Sequence, residues 1–217
     1  AHSRRLSESK KVRDAEMAQK REVASNTVEM IWSKCTGSED THPYLQRKGV
    51  KSHGSRVTGD GRLALPLYGE DGSISSLQYI SSEGSKQFHS GGAVSGKFWT
   101  LGSMDDAGPL FIAEGFATSA TVYEVTGRPC VVAYSASNMP AVAELMRAKY
   151  GAEQEIIVVA DNDEHGVGQK YADLANDKAG AKVVMPPISG DANDYAQATS
   201  GQDLLDLLMP PSSSIYD

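Results

Sequence analysis

Three carboxylates stand out in this sequence because each ends a run of apolar residues. Glu114 follows "PLFIA", and Asp161 and Asp163 follow "EIIVVA" with only Asn162 between them. Side chains at i and i+2 of an extended segment point the same way, so Asp161 and Asp163 can reach one ion or two neighbouring ions. Glu114 is expected to face them across the top of a sheet. Carboxylates brought together in this way repel unless a cation lies between them. Hard oxygen ligands without His or Cys favour Mg²⁺ or Mn²⁺ over zinc, and phosphate oxygens readily displace the waters that Mg²⁺ keeps. The chemistry implied is phosphoryl or nucleotidyl transfer. A further acidic stretch, "GDANDY", adds Asp191 and Asp194 near the next strand end. Asp191 reads equally as a metal ligand and as the N-cap of a terminal helix. Asn193 reads either as orienting a neighbouring carboxylate or, more readily, as a turn residue, and His165 either as a cation approaching phosphate or, more readily, as a surface residue.

The elements that must hold these acids follow from periodicity. "PLFIAE" (109–114), "PCVVAY" (129–134), "EIIVVAD" (155–161) and "AKVVMP" (181–186) are unbroken apolar runs, as strands buried on both faces require. Between them lie "ATSATVYEVTG", "NMPAVAELMRAKYG" and "GVGQKYADLANDKAG", each amphipathic at helical spacing and each closed by Gly. This is a doubly wound α/β pattern with a parallel sheet, whose ligand crevice lies outside the carboxyl ends of the strands. One or two terminal helices and a mobile tail, "PPSSSIYD", complete it.

Upstream the rhythm differs. From Leu6 to Lys34 there is no Gly or Pro, which predicts one long helix or two shorter ones with a thin apolar stripe that thickens toward Val28, Ile31 and Trp32. "HPYLQRKGV" predicts a short helix. "RLALPLY" (62–68), "SISSLQYI" (73–80), "KQF" (86–88) and "GKFWTL" (96–101), separated by turn chemistry, predict a small antiparallel unit. The expected division is a helical segment at 1–40, a basic β-rich subdomain at 41–106, a doubly wound domain at 107–208 and a tail at 209–217.

Charge is segregated along the chain. Residues 1–100 carry 15 Lys and Arg against 11 Asp and Glu, and residues 101–217 carry 6 against 17, giving +4 and −11 within the net −7. Such a split suits basic groups that hold a polyanion and carboxylates that hold metal on a different surface. No apolar run approaches the roughly 18 residues of a membrane span. Cys35 and Cys130 form no CxxC pattern, so a reducing, cytoplasmic setting is expected. The start at Ala1-His2-Ser3, without an initiator Met or a signal segment, reads as a piece of a longer chain.

"IAEGFATSATV" and "VVADNDEHGVGQ", at this helix and strand spacing, resemble the TOPRIM domain of primases, topoisomerases and some nucleases. The resemblance implies that Glu114, Asp161 and Asp163 bind Mg²⁺ or Mn²⁺, that Glu114 also serves in acid or base catalysis, and that Asp191 and Asp194 belong to the same centre. His165 stands where the pattern usually has a third acid. The preceding "GRLALPLYGEDGSISSLQYISSEGSKQFHSGG" resembles the basic, strand-rich segment of DnaG-type primases, with Arg62, Pro66, Gly72, Lys86, Phe88 and Gly91 in matching order. With "HPYLQRKGV" the likeness is to primases of plasmids, phages and integrated mobile elements. Gln78-Tyr79-Ile80 departs from the Arg that usually ends the second strand. The resemblance implies synthesis of short RNA primers on a single-stranded DNA template from ribonucleoside triphosphates, with a separate or fused replicative helicase as partner. Lys48, Arg56, Arg62, Lys86 and Lys97 are then candidate nucleotide or DNA contacts. Tyr44, Tyr79, Phe88 and Trp99 read either as base-stacking groups or as sheet packing, and more readily as packing. A TOPRIM nuclease using the same acids, and a nucleic-acid-binding module inactive without further domains, remain open from sequence.

Overall fold

The computed structural model describes residues 2–104 and 108–211, so the expected boundary at Asp105-Asp106 and the end of the tail lie outside the described residues. Two compact units emerge, one of Ala1–Tyr44 with Gly54–Val94 and the other of Leu45–His53 with Ser95–Asp217.

In the first unit the Gly- and Pro-free opening forms a single helix, α1 (His2–Lys34). It is followed by β1 (Thr36–Gly37), α2 (Pro43–Lys48), within which the division between units falls, β2 (Arg56–Val57), β3 (Leu63–Tyr68), β4 (Ile74–Ile80) and β5 (Lys86–Phe88). The five strands pair antiparallel in chain order. β1 and β2 were not legible, since two residues carry no periodicity. Pro66 sits in a central strand, yet β2 pairs only Leu63 and Ala64, so at Pro66 the strand has a neighbour on one side. The thickening stripe of α1 is what packs: Ala24 and Val28 are buried, with Val28 against Ala64, Ile74, Leu77 and Tyr79, and Ser25 Oγ donates to the Ile74 carbonyl at 2.9 Å. Val12, Met17 and Val23 remain exposed.

The second unit has the predicted alternation. β6 (Trp99–Leu101), β7 (Leu110–Ala113), α3 (Phe116–Thr126), β8 (Cys130–Val132), a 3-10 turn at Ala136–Asn138, α4 (Met139–Tyr150), β9 (Ile156–Val159), α5 (Val167–Ala179), β10 (Lys182–Val184), α6 (Ala192–Ala198) and α7 (Gly201–Leu208) follow in order. The sheet runs β10-β9-β7-β8-β6, parallel except for β6, which pairs antiparallel with β8. That corrects one expectation: "GKFWTL", assigned from its neighbours to the antiparallel unit, supplies the edge strand of the other sheet. Both faces are covered, as continuous apolar strands demand. Leu110, Ile112, Val131 and Val158 pack on Met139, Val142, Met146 and Ala175 of α4 and α5. On the opposite face Phe111, Ala113, Cys130 and Val159 meet Val122, Ala192, Leu204 and Leu208 of α3, α6 and α7. Burial pushes the Cys130 thiol up to about 12, which makes it core rather than chemistry. Among the described residues no helix is long and apolar enough to cross a membrane.

Candidate functional site

β7 and β9 are parallel neighbours with Ala113 opposite Val159, so Glu114 and Asp161 emerge at the same end of adjacent strands, each half-buried. A cleft of about 390 Å³ opens there, lined by Asp161, Asn162, Asp163, Glu164, Ser189, Gly190, Asp191 and Asp194. The two acidic loops meet because Asn162 and Gly190 exchange backbone hydrogen bonds, Asn162 N to Gly190 O at 2.9 Å and Gly190 N to Asn162 O at 3.0 Å. Asn162 Nδ2 adds a bond to the Pro186 carbonyl at 3.0 Å. Gly190 holds φ at 115°, and a Cβ there would fall 2.8 Å from Asp194 Oδ2, so the bridge requires glycine on both counts.

Each acid has a different local duty. Asp163 turns to the start of α5, where Oδ1 accepts from the amides of His165 (2.9 Å) and Val167 (3.0 Å) and Oδ2 from Gly168 (2.7 Å). The Gly168 amide first, then that of Val167, hold the carboxyl below its ordinary value of 3.8. Its stabilising effect is therefore complete above that value and is lost as the pH falls through the depressed folded-state value. Thermal melts from about pH 6 down to pH 2.5 should show an acid limb that flattens in Asp163→Asn, whose amide oxygen does not titrate over this range. Asp191 and Asp194 form a capping box on α6, each side chain accepting from the other's amide at 2.8 and 3.2 Å. Burial tends to raise the Asp194 carboxyl, but the Asp191 amide and the Lys48 ammonium prevail and lower it. Asp161 Oδ1 is buried and accepts no hydrogen bond, while the side chain as a whole is engaged.

The acids thus surround one cleft without forming a ready ligand cage. Among the described residues no three His, Cys, Asp or Glu side chains stand together as a metal-holding group, and Glu114 is not among the residues lining the cleft. Asp161 and Asp163 share the cleft wall, Asp163 with its carboxylate also accepting from three amides, and Glu114 stands at the end of the neighbouring strand. The donor chemistry of the cleft still fits a hard cation, with four aspartates and one glutamate on its wall and no Lys, Arg or His. His165 is exposed, as expected.

Asn193 is not the turn residue anticipated. It is buried in the first turn of α6, donating from Nδ2 to the Lys48 carbonyl (2.7 Å) and to Thr121 Oγ1 (2.8 Å). Gln197, one turn on, donates from Nε2 to the same Lys48 carbonyl at 2.8 Å. Glu124 of α3 accepts from the Lys51 amide at 2.8 Å and lies 2.6 Å from His53 Nε2. The segment 45–53 is thereby pinned to α3 and α6, a function missed from sequence although two amides at i and i+4 beside Ala192 and Ala196 were its visible trace.

The basic candidates divide between the units. In the first, Arg56 donates to the Trp32 carbonyl at 2.7 Å and lies 4.3 Å over the indole ring. Arg62 is paired with Asp60 at 2.7 Å, and that hydrogen bond leads the shift of the Asp60 carboxyl down to about 2. Arg62 also covers the Tyr79 ring at 4.4 Å. Lys86 is exposed on edge strand β5. In the second, Lys48 reaches Asp194, and Lys97 is half-buried beside the buried Asn138, which donates to the Lys97 carbonyl at 2.9 Å. Tyr44, Tyr79 and Trp99 are buried, Trp99 stacked 5.5 Å from Phe116, so for these three sheet packing prevails over base stacking. Phe88 is half-buried.

Residues 109–202 match the Toprim domain family. Two proteins of Escherichia coli, both called DNA primase TraC, are 32% identical over 169 residues and 33% identical over 165, covering 72% and 70% of this chain. The chain spans 12% and 16% of their respective lengths. Among solved structures, the primase fragment of the bacteriophage T7 primase-helicase superposes with a TM-score of 0.59 at 18% identity, covering 75% of this chain and 72% of that one. The DnaG catalytic core gives 0.53 at 11% identity, covering 68% and 52%. A DnaG primase catalytic domain bound to ssDNA gives 0.51 at 12% identity, covering 80% and 63%. These likenesses establish the shared fold.

Proposed function

We propose, on the premise that the chain belongs to the Toprim-domain family and is related to plasmid-type DNA primases, that it is the catalytic core of a primase that joins ribonucleotides on a single-stranded DNA template. The observation that carries this reading is the acid-walled cleft beyond the carboxyl ends of β9 and β10, in a chain whose alignment with TraC primases extends well beyond the Toprim match.

Asp161, Asp163, Asp191 and Asp194 would hold Mg²⁺ or Mn²⁺, with Glu114 contributed from the neighbouring strand. Bound there, such an ion supplies neutralisation of triphosphate charge and acidifies an attacking hydroxyl. The chain's own part is positional. Asp163 anchors the loop to the amides of α5, the bridge from Asn162 to Gly190 holds the second acidic loop beside the first, and Asp161 faces the cleft from between them. Glu114 accepts the proton of the 3′-hydroxyl as its oxygen bonds to the α-phosphorus of the incoming nucleotide and pyrophosphate departs. No side-chain nucleophile is required. Lys86 and Lys97 are assigned to template phosphates, and Arg56 and Arg62, whose guanidinium groups are already held by Trp32 and Asp60, supply field more than direct contact. A replicative helicase, fused or separate, is the further partner we propose.

Template-dependent incorporation of labelled ribonucleotides with Mg²⁺ or Mn²⁺ is the direct test. Shortening of single-stranded DNA in place of RNA synthesis would instead establish a Toprim nuclease. Lys86→Ala should weaken single-stranded DNA binding roughly two- to fivefold near physiological salt and reduce the slope of log affinity against log salt by about 0.7, read by fluorescence anisotropy.

A further inference from the structure

We infer that Lys48 is a built-in counter-ion that competes with divalent cation for the acidic cleft and so sets how tightly the cleft takes metal. The inference rests on the metal-centre reading above and deepens it. Lys48 Nζ lies 3.1 Å from Asp194 Oδ1 and 4.0 Å from Asp191 Oδ2, the two acids that cap α6 and line the cleft. Asp194 is thereby committed at both oxygens, Oδ1 to the ammonium and Oδ2 to the Asp191 amide. The ammonium is delivered by design of the backbone. The Lys48 carbonyl is fixed by Asn193 Nδ2 and Gln197 Nε2, two side chains of the same helix whose first turn carries the acids. The Lys48 side chain is about a quarter exposed, at 26%, so it can leave the pair toward solvent without unfolding its surroundings.

Lys48 itself is not part of the cleft wall and meets Asp194 from beside it, while the charged groups on the wall besides Asp191 and Asp194, namely Asp161, Asp163 and Glu164, are all acidic. Lys48 is thus the cation that a metal must displace from Asp194 or share it with. A single positive charge a few ångströms from a divalent ion, in partly screened surroundings, weakens its binding about three- to tenfold. A purely structural role predicts the opposite sign, since loosening α6 would scatter the donors and weaken metal binding.

The test is Mn²⁺ binding to the full chain by isothermal calorimetry and by electron paramagnetic resonance, for the unaltered protein, Lys48→Met, Lys48→Gln and Lys48→Arg, with Asp161→Asn as reference. Binding about three- to tenfold tighter in both neutral variants, with unchanged stoichiometry and near-original affinity in Lys48→Arg, is the expected result. Equal or weaker binding in the neutral variants, in protein whose thermal melt remains cooperative, overturns the counter-ion role while leaving the metal centre standing. Absence of Mn²⁺ uptake by every form overturns the metal centre itself and the inference with it. Two neutral variants of different polarity guard against one of them packing poorly.

Discussion

Asp161→Asn should lower ribonucleotide incorporation by about a hundredfold or more while leaving the melting temperature unchanged or slightly raised. The expectation follows from where Asp161 sits and from what its neighbouring acids do. Asp163 accepts three amides and Asp191 and Asp194 cap α6, so those acids serve the fold as well as the cleft. Asp161 lines the cleft and keeps an oxygen buried there. Asn has the same shape, so it removes the charge without opening a cavity. In a wall of like charges, that removal relieves repulsion. The comparison with Asp163→Asn separates the two kinds of acid, since that variant should lose thermal stability together with activity. Primer synthesis at the original rate by Asp161→Asn, with Mn²⁺ affinity intact, would show that the chemistry lies elsewhere on the chain.

The difference between these two aspartates marks where sequence reasoning stops. A DxD pattern after an apolar run is equally the signature of a metal loop and of a helix cap, and what decides for Asp163 is the path of the backbone through Gly166, Val167 and Gly168. The doubly wound unit was legible because its strands are buried on both faces and its helices are amphipathic, so each run declares its own class. β6 was misplaced for a related reason. "GKFWTL" has strand character, but a strand does not name its partner, and the one it pairs with, Cys130–Val132, comes about thirty residues later. The two-residue strands β1 and β2 lie below the length at which alternation is detectable. Lys48 was legible only as a cation. That it serves Asp194, and that its carbonyl serves Asn193 and Gln197, joins positions 145 to 149 residues apart. No local pattern reports such a meeting.

The second large effect should come from a residue with no functional group at all. In Gly168→Ala the added Cβ would fall 2.3 Å from the Asp161 carbonyl oxygen and 3.1 Å from the Asp161 carbonyl carbon and amide nitrogen, all backbone atoms that cannot swing aside. The start of α5 must then retreat from the Asp161–Asp163 loop, taking the Gly168 amide away from Asp163 Oδ2, which it now meets at 2.7 Å. Overpacking against backbone costs about 3 kcal/mol, and a displacement near 1 Å at a reacting centre costs roughly a hundredfold in rate. Gly166, two residues earlier, supplies the contrast. Its φ of 65° demands a left-handed conformation, but a Cβ there meets nothing within 4 Å, so Gly166→Asn, which tolerates that conformation, should be nearly neutral. Urea unfolding and Mn²⁺ titration of the two variants side by side decide the matter. Equal stability and equal Mn²⁺ affinity in Gly168→Ala and Gly166→Asn would mean that the contact between α5 and Asp161 does not set the geometry of the cleft.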